Sequence, residues 1–367
     1  MTDLSAWLPR GVGAIEAWQR EYGETAVHPS LVVPDEVLSE AYGRLLDRLQ
    51  DNYPFGHPRY VGQMLKPPHP AAVLGYTTAM LINPNNHALD GGPATAAMEK
   101  EVVARLATMF GLHQHLGHLT SSGTIANLEA LWVARESHPG KAIAFSADAH
   151  YTHARMCGVL GVEGVPVRVD LAGRMDLDHL DEVLATGRIG TVVATVGTTG
   201  LGALDPVAGI VTRARAAGAR VHVDTAYGGF FALVADDSAD GVESAPYRAI
   251  ADADSVVVDP HKHGLQPYGC GTVLFADPSV GRFYVHDSPY TYFSSDELHL
   301  GEISLECSRA GAAAAALWLT LEVLPLSDAG LGQVLRAGRR GALEWVSLLD
   351  GSDQLAAYQV PELDIVP

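Results

Sequence analysis

The sequence is short of positive charge. Across 367 residues, 24 lysines and arginines stand against 43 aspartates and glutamates, a formal net charge of −19. So acidic a chain is repelled by nucleic-acid backbones and by anionic membrane surfaces, which excludes broad electrostatic binding to either. A local positive site for a small anion stays compatible with it. Cysteine is scarce as well. Cys157, Cys270 and Cys307 are scattered, odd in number and without metal-ligand spacing. That excludes a disulfide framework and points to a reducing, cytoplasmic setting. No apolar run reaches the length of a membrane span. The opening Met1-Thr-Asp-Leu-Ser-Ala-Trp-Leu-Pro9 has no basic region ahead of an apolar core, so no signal peptide is expected. Internal repeats and low-complexity tracts are absent too.

What is present is ordinary globular composition, 47% hydrophobic and 18% charged. The length suits one large domain plus a smaller one. The most informative stretch is Asp254-Ser-Val-Val-Val-Asp-Pro-His-Lys-His-Gly264. Ser255 to Val258 read as a buried strand, broken by Asp259-Pro260-His261, with Lys262 at its exit. Partial burial there would lower the pKa of the amine and make it nucleophilic, as a Schiff-base lysine requires. Taken alone, a plain loop lysine is the commoner reading.

The surroundings change that balance. Lys141–Ser146, Val165–Val169, Thr191–Val196, Val221–Asp224 and Gly271–Ala276 read as further strands, most of them separated by helical segments. This order predicts an α/β fold with a mostly parallel central sheet flanked by helices. Ligands in such sheets collect at the carboxyl ends of the strands. His150, Thr199, Asp224 and Lys262 all fall at or just past a predicted strand end. Ser122-Gly123-Thr124 runs directly into a helix, and free amides at a helix start form an anion site, although a plain N-cap is the everyday reading.

The remaining segments frame this centre. Residues 1–50 read as an amphipathic helical arm, 51–310 as the large domain, and 311–367 as the start of a small C-terminal domain, expected to be incomplete. The Pro-, Gly-, His- and Asn-rich segment from Asn52 to Pro93 reads as site-lining loops. Arg59, Tyr60, Asn83 and His87 are its hypothetical substrate contacts. Helices are expected at about 95–110, 311–324 and 331–349, and Gln359–Val366 looks strand-like.

A strand-end lysine, a buried strand-end aspartate, a strand-end histidine and a phosphate turn fit one cofactor well, pyridoxal 5′-phosphate. The lysine would hold it as an imine. The aspartate would keep the ring nitrogen protonated, the histidine would stack on the ring, and Thr199 would reach the ring oxygen or a substrate carboxylate.

With these residues in place, the chain resembles the group II pyridoxal-phosphate-dependent amino-acid decarboxylases. The matching segments are Leu119-Thr-Ser-Ser-Gly-Thr-Ile-Ala-Asn127, Ala149-His-Tyr-Thr152, Val196-Gly-Thr-Thr199, Val221-His-Val-Asp-Thr-Ala226 and Asp259-Pro-His-Lys262. The resemblance implies the type I, aspartate-aminotransferase-like fold and a homodimer with shared active sites. It implies Lys262 as the imine lysine, Asp224 as the pyridinium partner, His150 stacked on one ring face and Ala226 on the other. Ser122, Gly123 and Thr124 would hold the phosphate together with His261. Tyr290, with Tyr292 as second choice, would be the loop tyrosine that protonates Cα across the dimer. Cys307-Ser-Arg-Ala-Gly311 resembles the family's Ser-Arg turn. Many relatives carry Asn where this chain has Asp259, and that carboxylate is expected to turn away from the phosphate.

The expected activity is decarboxylation of an L-amino acid to its amine and CO2. The cofactor's chemistry alone would equally permit an aldehyde-lyase or aminotransferase reaction, and a catalytically silent scaffold is a further alternative. Aromatic, acidic and small polar substrates all remain open.

Overall fold

The computed structural model describes residues 3–24, 26–60, 62, 64, 66–285 and 304–367. Seven strands form one sheet: β1 (Leu116–Thr120), β2 (Ala142–Ser146), β3 (Gly164–Val167), β4 (Ile189–Thr195), β5 (Arg220–Asp224), β6 (Ser255–Val258) and β7 (Gly271–Phe275). Their order across the sheet is β1-β7-β6-β5-β4-β2-β3. The run from β6 to β3 is parallel throughout, and β7 pairs antiparallel with both β6 and β1.

Strand composition explains why this sheet is covered on both faces. Val256 and Val258 of β6 join the large core, together with Val192, Val221 and Val223, whereas Val257 faces a second cluster with Val273 and Phe275. Both alternating sets are apolar, so neither face can be left to water. Helices α4 (Pro93–Met109) and α5 (Gly123–Ser137) supply much of the cover.

Strand β1 departs from the sequence expectation, which had no strand there. Leu-Gly-His-Leu-Thr offers only two apolar residues and no β-branched run, so its local signal is weak. It is held by pairing with β7 and by a buried polar contact, His118 Nε2 to Glu129 Oε2 at 2.8 Å. The strand expected over Gln359–Val366 is also corrected, because no ladder forms there. The segment is anchored instead by side chains. Leu363 is fully buried, Glu362 meets Arg174 and the Leu204 amide, and Asp364 accepts from Lys66, His263 and Tyr227.

The two arm helices, α1 (Leu4–Arg20) and α2 (Asp35–Leu49), bury no residue within the chain, although Trp7, Trp18, Leu38 and Leu45 are apolar and exposed. The described residues contain no single helix long and apolar enough to cross a membrane.

The Ser-Arg turn before the helix Gly311–Val323 has a clear structural task. Arg309, its side chain 8% exposed, meets Glu99 Oε1 at 2.6 Å, the Leu119 carbonyl at 2.8 Å and the Asn86 carbonyl at 2.8 Å. This ties the start of β1's exit loop, α4 and the 84–87 loop together. Arg309→Ala would remove a cation 2.6 Å from the buried Glu99 carboxylate, so a loss of roughly 3 kcal/mol is expected in urea unfolding. A midpoint equal to the parent's would show that the turn contributes no stability.

Candidate active site

A cavity of about 670 Å³ opens at the carboxyl ends of the central strands. Ser122, Gly123, Thr124, His150, Thr199, Asp224, Ala226, His261 and Lys262 all line it. The sequence motifs, spread over 141 positions (122 to 262), are therefore brought to one place. Tyr290 and Tyr292 lie outside the described residues.

Asp224 ends β5 and is only 4% exposed. Its Oδ2 accepts from His153 Nε2 at 2.8 Å and from Asn127 Nδ2 at 3.4 Å, and its Oδ1 accepts from the Ala226 amide at 3.0 Å. Burial pushes the carboxyl up, but the His153 hydrogen bond and charge, the Ala226 amide and His222 outweigh it and hold the group well below the usual carboxylate range. Asp224 is thus an anion presented to the cavity. A further layer holds these partners. Asn127 gives its other donor to the Gly123 carbonyl at 2.9 Å and takes His222 Nε2 at 2.9 Å, while His222 Nδ1 pairs with Ser255 Oγ at 2.9 Å. Burial drives the His222 imidazole down to about 3, so it serves as a neutral bridge.

The Ser-Gly-Thr turn starts α5 with Ser122 as a true N-cap, its Oγ accepting from the Ile125 amide at 3.3 Å. The cap and anion-site readings coexist, since the amides of Gly123 and Thr124 lie in the first turn and have no acceptor within the helix. His150 likewise plays a local part: its Nδ1 sits 2.7 Å from Thr152 Oγ1 and accepts from the Thr152 amide at 3.2 Å. Burial lowers its pKa, so the ring is a neutral, flat wall of the cavity. His261 Nδ1 pairs with the Cys270 carbonyl at 2.8 Å.

Lys262 is half-buried, and its Nζ lies 3.2 Å from Asp259 Oδ2. Asp259 does not turn away from the phosphate turn. Its carboxyl lies against Gly123, where a Cβ would come within 2.6 Å of Oδ1 and still closer to Oδ2. The cause is the tight Asp259-Pro260-His261-Lys262 turn, whose Lys262 amide bonds the Asp259 carbonyl and leaves the side chain aimed at the first residue of α5.

Arg59, Tyr60, Asn83 and His87 do not line this cavity in their own chain. Tyr60 is held in an aromatic cluster with Tyr53 and Phe55, and the His87 amide donates to Asn85 within the loop tied to Arg309. Asn127, His153, Thr195, Tyr227 and Asp259 border or support the cavity without having been singled out as ligand contacts. Asn127 is four residues past Gly123 and His153 three past His150, so helical spacing from a chosen residue was the signal that would have found them.

These residues suit a pyridoxal phosphate. An amine, an ionised buried carboxylate, a flat imidazole and a capped helix start all face the same cavity, and the buried Thr195 Oγ1 and Asp259 Oδ1 lack partners among the described residues.

The architecture is that of fold type I pyridoxal-phosphate enzymes. It is similar to the crystal structure of mouse CSAD with a TM-score of 0.81 at 23% identity, covering 95% of this chain and 74% of that one. Oryza sativa TDC with PLP and tryptamine gives 0.77 at 19% identity, covering 100% and 81%. Residues 55–342 match the model of the pyridoxal-dependent decarboxylase conserved domain, and the chain belongs to that family. Among its relatives are an L-tyrosine decarboxylase of Enterococcus faecium, 30% identical over 80% of this chain, and a probable L-aspartate decarboxylase of Halobacterium salinarum, 32% identical over 71% of this chain and of the relative. The chain spans 64% of the length of the Enterococcus faecium protein.

His153→Phe removes the 2.8 Å donor from Asp224. A hydrogen bond to a charged group is worth about 1.5–3 kcal/mol, so the affinity for pyridoxal phosphate should fall roughly 10- to 100-fold in an absorbance titration. The acid limit of binding should also move to higher pH, because burial then raises the Asp224 carboxyl against the weaker opposition of the Ala226 and Asn127 donors. An unchanged titration would remove His153 from the cofactor's support.

Proposed function

We propose that this chain catalyses pyridoxal-phosphate-dependent decarboxylation of an L-amino acid, giving the amine and CO2. The observation that carries the reading is one cavity lined by both the Lys262 amine and the anionic Asp224, in a chain of the pyridoxal-dependent decarboxylase family. The bound cofactor supplies an electron-accepting ring. Lys262 holds it through Nζ. Asp224 keeps a proton on the ring nitrogen, which its own depressed pKa favours. His150 and Ala226 bracket the ring, Ser122, Gly123 and Thr124 hold the phosphate with His261, and Thr199 serves the ring oxygen or the substrate carboxylate. Tyr290 delivers the proton to Cα once CO2 has left. The cytoplasm is the compartment proposed, supported by three unpaired cysteines, two of them buried.

The test is product analysis on the purified protein. With pyridoxal phosphate, a visible absorbance that borohydride bleaches is expected, and Lys262→Ala should lack it. A panel that begins with L-tyrosine and L-aspartate, after the names of the relatives, should yield stoichiometric CO2 and amine from at least one member. A panel giving keto acid or aldehyde without CO2 would replace the reading by aminotransferase or lyase chemistry, and a chain that never takes up cofactor would make it a scaffold.

A homodimer with shared sites is part of the proposal. It is supported by the arm helices α1 and α2, which carry exposed Trp7, Trp18, Leu38 and Leu45 and contain no fully buried residue. Lys262→Ala and Tyr290→Phe should each form little amine alone. Unfolded together and refolded, they should recover about a quarter of wild-type amine formation, because one site of each mixed dimer holds both native residues. No recovery would mean that each site is built from one chain.

A further inference from the structure

Asp259 combines features that the proposed reaction does not use. It is 3% exposed, its Oδ1 has no hydrogen-bond partner among the described residues, and its carboxyl occupies the space beside Gly123 that any side chain at that position would need. Gly123 opens α5, the helix start that receives the cofactor phosphate in the reading above. One buried carboxyl group therefore touches both the anion site and the Lys262 amine.

Its charge is tolerated while the site is empty. The Lys262 ammonium is 3.2 Å away, His261 Nε2 is 3.6 Å away, and the positive end of α5 lies alongside. Cofactor loading weakens two of these three supports together. Lys262, once committed through Nζ to the cofactor, no longer offers a free ammonium, and the α5 terminus becomes shared with a phosphate dianion. Two anions at one helix start repel each other in a poorly hydrated setting.

We propose that Asp259 becomes protonated as the phosphate-bearing cofactor is loaded, receiving the proton that the Lys262 ammonium 3.2 Å away gives up when its Nζ is committed, so that this single carboxyl couples occupancy of the phosphate site to the state of Lys262. The other titratable groups facing it are Asp224 from the end of β5, His150 from the loop after β2, and Cys270 before β7. Asp224 is an anion and favours the neutral form of Asp259. Burial already raises the Asp259 carboxyl above its ordinary range, against the pull of Lys262 and His261. The inference rests on the cofactor reading above.

The sign follows from linkage. Greater proton uptake on binding means that affinity falls more steeply as pH rises, by up to about tenfold per pH unit for one proton. The experiment is calorimetric titration of the full-length apoprotein with pyridoxal phosphate, in two buffers of different ionisation heat, repeated across the neutral to mildly alkaline range. Wild type should take up close to one proton more than Asp259→Asn, and as pH rises its affinity should fall relative to that of Asp259→Asn by up to about tenfold per pH unit. Pyridoxal, which lacks the phosphate, should show a much smaller difference between the two proteins. Equal proton uptake in wild type and variant overturns the proposal, as does a difference equally large with pyridoxal. Should Asp259→Asn fold poorly, Asp259→Ser takes its place, with the same difference from wild type expected and its absence contrary. Failure of the wild type to develop the cofactor absorbance would instead strike the cofactor reading.

Discussion

The site depends on keeping a carboxylate ionised where burial would neutralise it. Asp224 is almost without water, and that position alone would push its carboxyl up. Three donors reverse the outcome: His153, the Ala226 amide and, more distantly, Asn127. Because Asn127 is also bonded to the Gly123 carbonyl, the support of the anion and the start of the phosphate-binding helix form one connected body. A displacement of α5 would move both. Most polar atoms of this buried network are paired, His153 Nδ1 being without a partner among the described residues, and such a network favours one arrangement of the groups that face a cofactor ring and its phosphate.

The chain's large negative charge makes anion binding a local problem with a local solution. No arginine is found among the described residues that line the cavity. Attraction for a phosphate must come from backbone amides at the α5 start, from hydroxyls of Ser122 and Thr124, and from Lys262 and His261. Oriented amides cost no reorganisation and carry no mobile charge to be neutralised by the many surrounding carboxylates. An acidic protein with an anionic cofactor is consistent once the helix terminus, not the net charge, is seen as the receptor.

Much of this was legible in the sequence because strand ends are punctuated. Val-Val-Val before Asp-Pro-His-Lys, and Val-His-Val before Asp-Thr-Ala, each give a hydrophobic run halted by residues that cannot continue it. The topology then delivers those halts to one edge. Strand β1 was illegible because its stability lies in its neighbour β7 and not in Leu-Gly-His-Leu-Thr itself. His153 and Asn127 carry no mark of their own, and only their spacing of three and four residues from His150 and Gly123 points them toward the same site. The orientation of Asp259 was misjudged for a different reason: like-charge avoidance was argued for the loaded site, whereas the turn geometry and the nearby amine decide where the side chain lies.

The segment expected to be a strand near Leu363 shows how a short stretch without regular structure can still order a site. Burial alone would raise Asp364, but His263 and Lys66 reverse this and hold its carboxyl far below the ordinary range, while the Tyr227 hydroxyl that donates to it at 2.6 Å is pushed well above its own. His263 follows Lys262 directly, and its other nitrogen pairs with the Tyr227 carbonyl at 2.9 Å. Tyr227 in turn lines the cavity next to Ala226. The lysine turn is therefore gripped on one side by Asp259 against α5 and on the other by Asp364 through His263. A nucleophilic side chain with four rotatable bonds gains little from being close to its target unless its backbone is held still. Here the holding is done by two buried carboxylates, one before the lysine and one more than a hundred residues after it.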